Sequence, residues 1–186
     1  MSENLVKVTI DDVELEVPAG TLVIRAAEQA GIRIPRFCDQ PLLEPVAACR
    51  QCLFEVGMTD SHTGETRFMP KPQPSCAQTV TPGMVVKTQH TSEVARLAQE
   101  GVMEFLPINH PLACPVCDKG SECQLQDLAV GYGKSTTRYT EARRAVVAKD
   151  MGPLISTREM SRCINCSRCV RFTEKISGNQ ELGIAN

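Results

Sequence analysis

Thiols and imidazoles a few residues apart are the groups from which proteins build metal and iron–sulfur sites. This chain of 186 residues arranges all ten of its cysteines that way. Cys38, Cys49, Cys52 and Cys76 give C-x10-C-x2-C-x23-C. Cys114, Cys117 and Cys123 follow His110 as H-x3-C-x2-C-x5-C, with Pro111 and Pro115 stiffening the loop. Cys163, Cys166 and Cys169 give C-x2-C-x2-C. No cysteine is left over, which argues against chance.

The third set is the most diagnostic. C-x2-C-x2-C wraps three thiolates around three irons of a [4Fe–4S] cube. Bacterial ferredoxins often continue x3-C-P, the fourth cysteine serving a second cluster. Here that position is Thr173. The fourth ligand is therefore expected from residues beyond this chain, read as a fragment, or from a substitute ligand. The first set suits a [2Fe–2S] cluster, in which two thiolates hold each iron. Its x10 gap departs from the plant-type C-x4-C-x2-C spacing. The middle set has two readings: a [4Fe–4S] cube with His110 on one iron, or a tetrahedral zinc site of three thiolates and one imidazole. Its place between two iron–sulfur patterns favours iron. His62 and His90 have no cysteine beside them and are read as ordinary hydrogen-bonded histidines.

Composition narrows the class. Net charge is −2, so no large basic patch points to nucleic acid. No apolar run is long enough to cross a bilayer. The start, MSENLVKVTI, lacks the basic and apolar regions of a signal peptide. In a reducing compartment cysteines serve metals or catalysis rather than disulfides. Aromatic residues make up 4% and Trp is absent, so small domains stapled by cofactors are expected. The sequence has no Gly-rich phosphate loop and no nucleophile paired with a base, which argues against a stand-alone enzyme.

These ligands need elements to hold them. LVKVTI (5–10) and VELEV (13–17) alternate around Asp11-Asp12 as a hairpin. Thr21 is placed to cap a helix running to Gly31. LFEV (53–56) and VVKT (85–88) read as strands, with GMTDSHTGET as a hairpin excursion between them. Ser92 caps a helix to about Leu106, whose Val94, Leu97, Ala98, Gly101 and Phe105 are expected to pack in the core. Ser121 is expected to start a short helix ending near Gly131. Residues 138–155 read as loop, SRCVRFTEKIS as a helix stopped at Gly178, and ELGIAN as the start of a strand.

The runs RIPRFCDQPLLEPVAACRQC, EGVMEFLPINHPLACPVCDKGSECQLQD and CINCSRCVRFTEKISG, in this order, resemble the N-terminal part of the large iron–sulfur subunit of respiratory complex I, NADH:quinone oxidoreductase. Related modules occur in NAD-linked formate dehydrogenases and hydrogenases. The resemblance implies an α+β fold. A β-grasp [2Fe–2S] ferredoxin-like domain (1–90) would be followed by a helical, loop-rich [4Fe–4S] domain with one histidine and three cysteine ligands (91–135). The start of a second [4Fe–4S] domain (136–186) would complete the chain. The resemblance implies one [2Fe–2S] cluster on Cys38, Cys49, Cys52 and Cys76. It implies one [4Fe–4S] cluster on His110, Cys114, Cys117 and Cys123, and another on Cys163, Cys166 and Cys169 with a downstream cysteine. Electrons from NADH and a flavin would pass through the [2Fe–2S] centre, then the C-x2-C-x2-C cluster, then the His-ligated one, toward quinone. The implied partners are the flavin/NADH-binding subunit and the small [2Fe–2S] subunit. The implied place is the cytoplasmic side of a bacterial inner membrane, as a peripheral subunit without a span of its own.

Two departures stand out. The stretch from Cys52 to Cys76 is longer than in most relatives by GMTDSHTGET. PVAAC, before Cys49, lacks a glycine that many relatives carry; Ala47 and Ala48 are expected to be small enough for the backbone to approach the cluster. His110, a neutral ligand in place of a thiolate, is expected to raise its cluster's potential. Arg50, Arg168 and Arg171 either add positive field or are solvated surface charges. Without cofactors the loops 38–52 and 108–123 are expected to be disordered.

Overall fold

The computed structural model describes residues 4–147, 149–154 and 160–184. Strand β1 (Leu5–Ile10) buries Val6, Val8 and Ile10 on one face, as its alternation predicts. It pairs antiparallel with β2 (Val13–Pro18). Asp11 and Asp12 both adopt positive φ, 45° and 67°, the geometry of a two-residue hairpin turn matched to strand twist. Helix α1 (Val23–Gln29) lays Val23, Ile24, Ala26 and Ala27 across the sheet. It ends in a Schellman motif: the Ile32 N–H donates to the Ala27 carbonyl, the Gly31 N–H donates to that of Glu28, and Gly31 sits at φ 74°. The helix cap differs from expectation. Thr21 turns its hydroxyl to the Pro18 carbonyl, and Leu22 is the unassisted N-cap.

Strand β3 (Leu53–Thr59) runs three residues past its predicted end. The GMTDSHTGET excursion is a hairpin, closed by β4 (Thr66–Phe68) pairing antiparallel with β3. The two-residue strand β5 (Gln73–Pro74) is not foreseen by local sequence; it pairs with Leu53 and Phe54 and leads directly to Cys76. Strand β6 (Met84–Lys87) lies parallel to β1 and antiparallel to β3. The order β2-β1-β6-β3-β4 makes a mixed sheet with one helix across it, and the fold is α+β as predicted.

Helix α2 (Glu93–Asn109) begins at Ser92, whose Oγ accepts from the Ala95 N–H at 3.0 Å and donates to Glu55 at 2.8 Å. Its predicted core face is wrong. Val94, Leu97 and Phe105 are exposed, Phe105 by 72%, while Ala95, Gln99 and Met103 are buried. The i, i+4, i+8 row through Gln99 wins because its amide reaches the start of β3. Gln99 Nε2 donates to the Leu53 carbonyl at 2.8 Å, and Gln51 Nε2 donates to the Gln99 carbonyl at 3.1 Å. A sequence stripe of apolar residues does not reveal such polar docking.

Helix α3 (Gln124–Tyr132) starts later than predicted. Ser121 sits in a left-handed turn at φ 64°, Cys123 is the N-cap, Gly131 is helical and the helix stops at Gly133. The predicted loop 138–155 forms no helix or strand over its described residues 138–147 and 149–154, and neither do residues 133–137 before it. They run back along α2: Lys134 pairs with Glu100, and Arg138 with Glu104 at 2.6 Å. Helix α4 (Arg168–Phe172) widens into a π-turn over Thr173–Ser177 and stops at Gly178 (φ 74°). The predicted strand at ELGIAN is not present over the described residues 181–184.

Candidate iron–sulfur centres

The first set of cysteines is assembled by the sheet. Cys52 enters β3, Cys76 follows β5, and Cys38 and Cys49 bracket the loop between α1 and β3. Cys38, Cys52 and Cys76 are buried and Cys49 half-buried. All four pack into the main core. Backbone donors face the sulfurs: the Cys38 N–H lies 3.4 Å from Cys49 Sγ, and the Cys49 N–H 3.5 Å from Cys38 Sγ. The thiols also contact one another. Hydrogen bonds from Cys49 and Cys76 push the Cys38 thiol down, and Cys76 lowers that of Cys52; Cys49 and Cys76 are pushed up in return. Thiolate character is what a metal ligand needs. Ala47 and Arg50 take φ of 50° and 59°, so the loop makes left-handed turns on both sides of Cys49 without glycine. Ala47 thus occupies the conformation for which a glycine is usual. An ion-pair cluster braces the outer wall. Arg25 holds the buried Asp39 at 2.6 Å and Glu28 at 2.9 Å, and Arg36 pairs with Glu28.

The middle set lies at the end of α2. His110 is the C-cap, Cys114 begins a single 3₁₀ turn (Cys114–Val116), and Cys123 caps α3. The four candidate ligands line one cavity of about 110 Å³ together with Leu112, Leu125, Ala129 and Arg162. Nδ1 of His110 is buried there with no hydrogen-bond partner. A buried nitrogen lone pair left unpaired costs free energy, and a bond to a metal would remove the cost. Burial, followed by the charge of Arg162, pushes the His110 pKa down, so the imidazole is neutral, the form that ligates. Arg143 caps the helix end, donating to the carbonyls of Pro107 and His110, and the Arg144 N–H donates to Asn109 at 3.0 Å. Gly120 packs close: a Cβ there would lie 3.1 Å from the Cys117 carbonyl.

The third set is the least enclosed. Cys163 and Cys169 are exposed and Cys166 half-buried. Asn165 (φ 53°) and Ser167 (φ 58°) place left-handed residues on both sides of Cys166, curling the loop. The Asn165 N–H faces Cys163 Sγ at 3.4 Å, and Arg168 Nε donates to Cys166 Sγ at 3.3 Å. Arg168 thus contacts the sulfur of a candidate ligand, and Arg171 is buried; neither is a solvated surface charge. Arg50 is exposed.

The sets meet. A small second core of Phe37, Met103, Leu125 and Leu128 packs against Cys49, Cys123 and Cys166, one cysteine from each set. Polar contacts follow the same path. Arg168 Nη1 donates to Gln124 at 3.4 Å, and Gln124 Nε2 donates to the Arg36 carbonyl at 2.8 Å. Phe37, 1% exposed, is a member of this core that sequence reasoning missed. Its only signal was adjacency to Cys38.

Comparison with known proteins agrees with this chemistry. Residues 3–91 match a family described as a 2Fe-2S iron-sulfur cluster binding domain. Residues 99–138 match the NADH-ubiquinone oxidoreductase-G iron-sulfur binding region, and residues 152–186 the ferredoxin-like domain of NADH-quinone oxidoreductase subunit 3. The chain is 53% identical over 180 residues to the G-type subunit of the NADH-quinone oxidoreductase of Streptomyces coelicolor, covering 95% of this chain and 20% of that protein. It is 44% identical over 182 residues to the mitochondrial NADH dehydrogenase [ubiquinone] iron-sulfur protein 1 of Solanum tuberosum, covering 98% of this chain and 23% of that protein. The chain therefore spans about a fifth to a quarter of the length of these relatives. Among solved structures, an NAD+-reducing [NiFe]-hydrogenase superposes with a TM-score of 0.77 at 28% identity, over all of this chain and 71% of that one.

Proposed function

We propose that this chain, an iron–sulfur electron-transfer module of the kind found in the G-type subunit of NADH-quinone oxidoreductase, carries single electrons from NADH and flavin toward quinone within complex I. The observation that carries the proposal is the convergence of Cys49, Cys123 and Cys166 on one small core around Phe37. Three separate scaffolds would not need it; a short electron path does.

The ligand assignments are part of the proposal. Cys38, Cys49, Cys52 and Cys76 hold a [2Fe–2S] cluster, and His110, Cys114, Cys117 and Cys123 a [4Fe–4S] cluster. Cys163, Cys166 and Cys169 hold a second [4Fe–4S] cluster with one ligand from elsewhere. The three units are 1–90, 91–135 and 136–186. When bound, the clusters supply reversible one-electron chemistry. The chain's own residues bury the first sulfurs, aim N–H groups at them, keep His110 neutral and exclude water from the space between the sets. N–H groups directed at sulfur and a neutral imidazole both favour the reduced state. His110→Cys, with its cluster retained, is expected to shift that cluster's midpoint potential negative; an unchanged potential contradicts the tuning role.

The partners are the other complex I subunits, in particular the flavin/NADH-binding and small [2Fe–2S] subunits. The place is the cytoplasmic face of the inner membrane; among the described residues no helix is long and apolar enough to cross a membrane. The likeness to the NAD+-reducing hydrogenase supports a second reading, the same module feeding a hydrogenase. Co-purification of a quinone-reducing membrane arm or of a nickel subunit separates the two. Iron, zinc and acid-labile sulfide analysis of anaerobically purified protein, with low-temperature EPR after dithionite reduction, tests the module itself. Iron with matching sulfide and both [2Fe–2S] and [4Fe–4S] signals is the expected result; zinc without labile sulfide overturns it.

A further inference from the structure

Arg171 is a buried cation that meets no carboxylate among the described residues. It lies on α4, two residues after Cys169, and is 8% exposed. Its three donor nitrogens all reach neutral acceptors: Nη1 donates to the Glu44 carbonyl at 2.7 Å, Nη2 to the Cys38 carbonyl, and Nε to Ser167 Oγ at 3.2 Å. By contrast, Arg25 and Arg36 in the first site each pair with both Glu28 and Asp39. Burying a charge costs free energy that neutral acceptors return only in part. Such a group is stabilised when a negative centre lies close by. The two carbonyls it grips belong to the loop that presents Cys38 and Cys49, whose sulfurs are buried and half-buried.

We propose that Arg171 is a positioning residue for the first cluster, contributed by the helix of the third: its guanidinium clamps the Cys38–Glu44 loop and supplies the positive field that raises the [2Fe–2S] potential. This rests on the reading of the first set as a [2Fe–2S] site. The geometry is specific to arginine. A planar fork satisfies two carbonyls and a hydroxyl at once, whereas a lysine ammonium keeps the charge but cannot span all three. An electron added to a thiolate-bound cluster makes it more negative, so a fixed cation nearby stabilises the reduced form more than the oxidised. Since α4 is placed by the left-handed Ser167 at the end of the Cys163–Cys169 loop, order in the third site sets both the position of the clamp and the potential of the first.

The test is a redox titration followed by EPR on the full protein and its Arg171→Gln and Arg171→Lys variants. The wild type is measured first; absence of labile sulfide and of a [2Fe–2S] signal there would defeat the underlying reading rather than the clamp. Arg171→Gln is expected to retain iron and sulfide and to shift the [2Fe–2S] midpoint negative, while the His-ligated centre stays within replicate error. Arg171→Lys is expected between the two. A wild-type [2Fe–2S] potential in Arg171→Gln overturns the proposal. Should Arg171→Gln fail to hold the cluster, Arg171→Lys decides. A negative shift or faster amide exchange over residues 38–45 supports the clamp, and wild-type values of both overturn it.

Discussion

The first and third cysteine sets hold their sulfurs in opposite ways. Cys38, Cys52 and Cys76 are buried in a core built from a sheet and a helix, and their loop is braced by ion pairs through Asp39. Cys163 is exposed on a loop curled by Asn165 and Ser167, and Cys169 is exposed on the short helix α4 that follows it. Hydrophobic burial contributes much of what holds the first site. The third has little apolar area to bury, and the energy that orders it must come from ligand bonds and from Arg171. The middle set is intermediate, with a cavity formed on α2 and α3 but only a single 3₁₀ turn in the loop between them.

The contrast can be broken at its strongest point. Phe54 on β3 is fully buried, and Phe54→Ala is expected to cost about 3–5 kcal/mol. Chemical denaturation should show the loss, and the [2Fe–2S] signal should fall with it. Leu128 belongs to the small second core, and Leu128→Ala is expected to cost about 2 kcal/mol, the low end for such truncations. Its effect should appear first in the His-ligated centre, with the sheet's amide protection kept. A sheet that melts together with that centre would show that the two cores are one cooperative unit. Ser92→Ala removes a helix cap and a bond to Glu55, and about 1–2 kcal/mol of stability is expected to go with them. Ala47→Gly is the smallest change. It relieves a left-handed alanine and is expected to be neutral or to stabilise by up to about 1 kcal/mol, read as the shift in denaturation midpoint.

Legibility follows the same contrast. The strands β1, β2, β3 and β6, the Gly31 and Gly178 stops and the Ser92 cap are all readable, because local periodicity and backbone preference decide them. All three ligand sets are visible as spacing. What stays hidden depends on long-range packing. The buried face of α2 is chosen by Gln99 reaching Leu53 across the fold, against an apolar stripe that points to solvent. The short β5 exists only because Leu53 and Phe54 are there to pair with it. Phe37 is an ordinary residue in sequence, and Arg171, legible only as a charge beside Cys169, shows its grip on the Cys38 and Glu44 carbonyls when separate loops are brought together.

The central claim is that the three sets form one electron path. The most direct measurement is the spin relaxation of the reduced [2Fe–2S] centre, followed as the remaining centres are reduced in turn. Closely packed centres are expected to speed its relaxation once a neighbour becomes paramagnetic, the effect disappearing in a Cys166→Ser variant that loses the third cluster. Relaxation that is the same whatever the state of the neighbours would contradict the account.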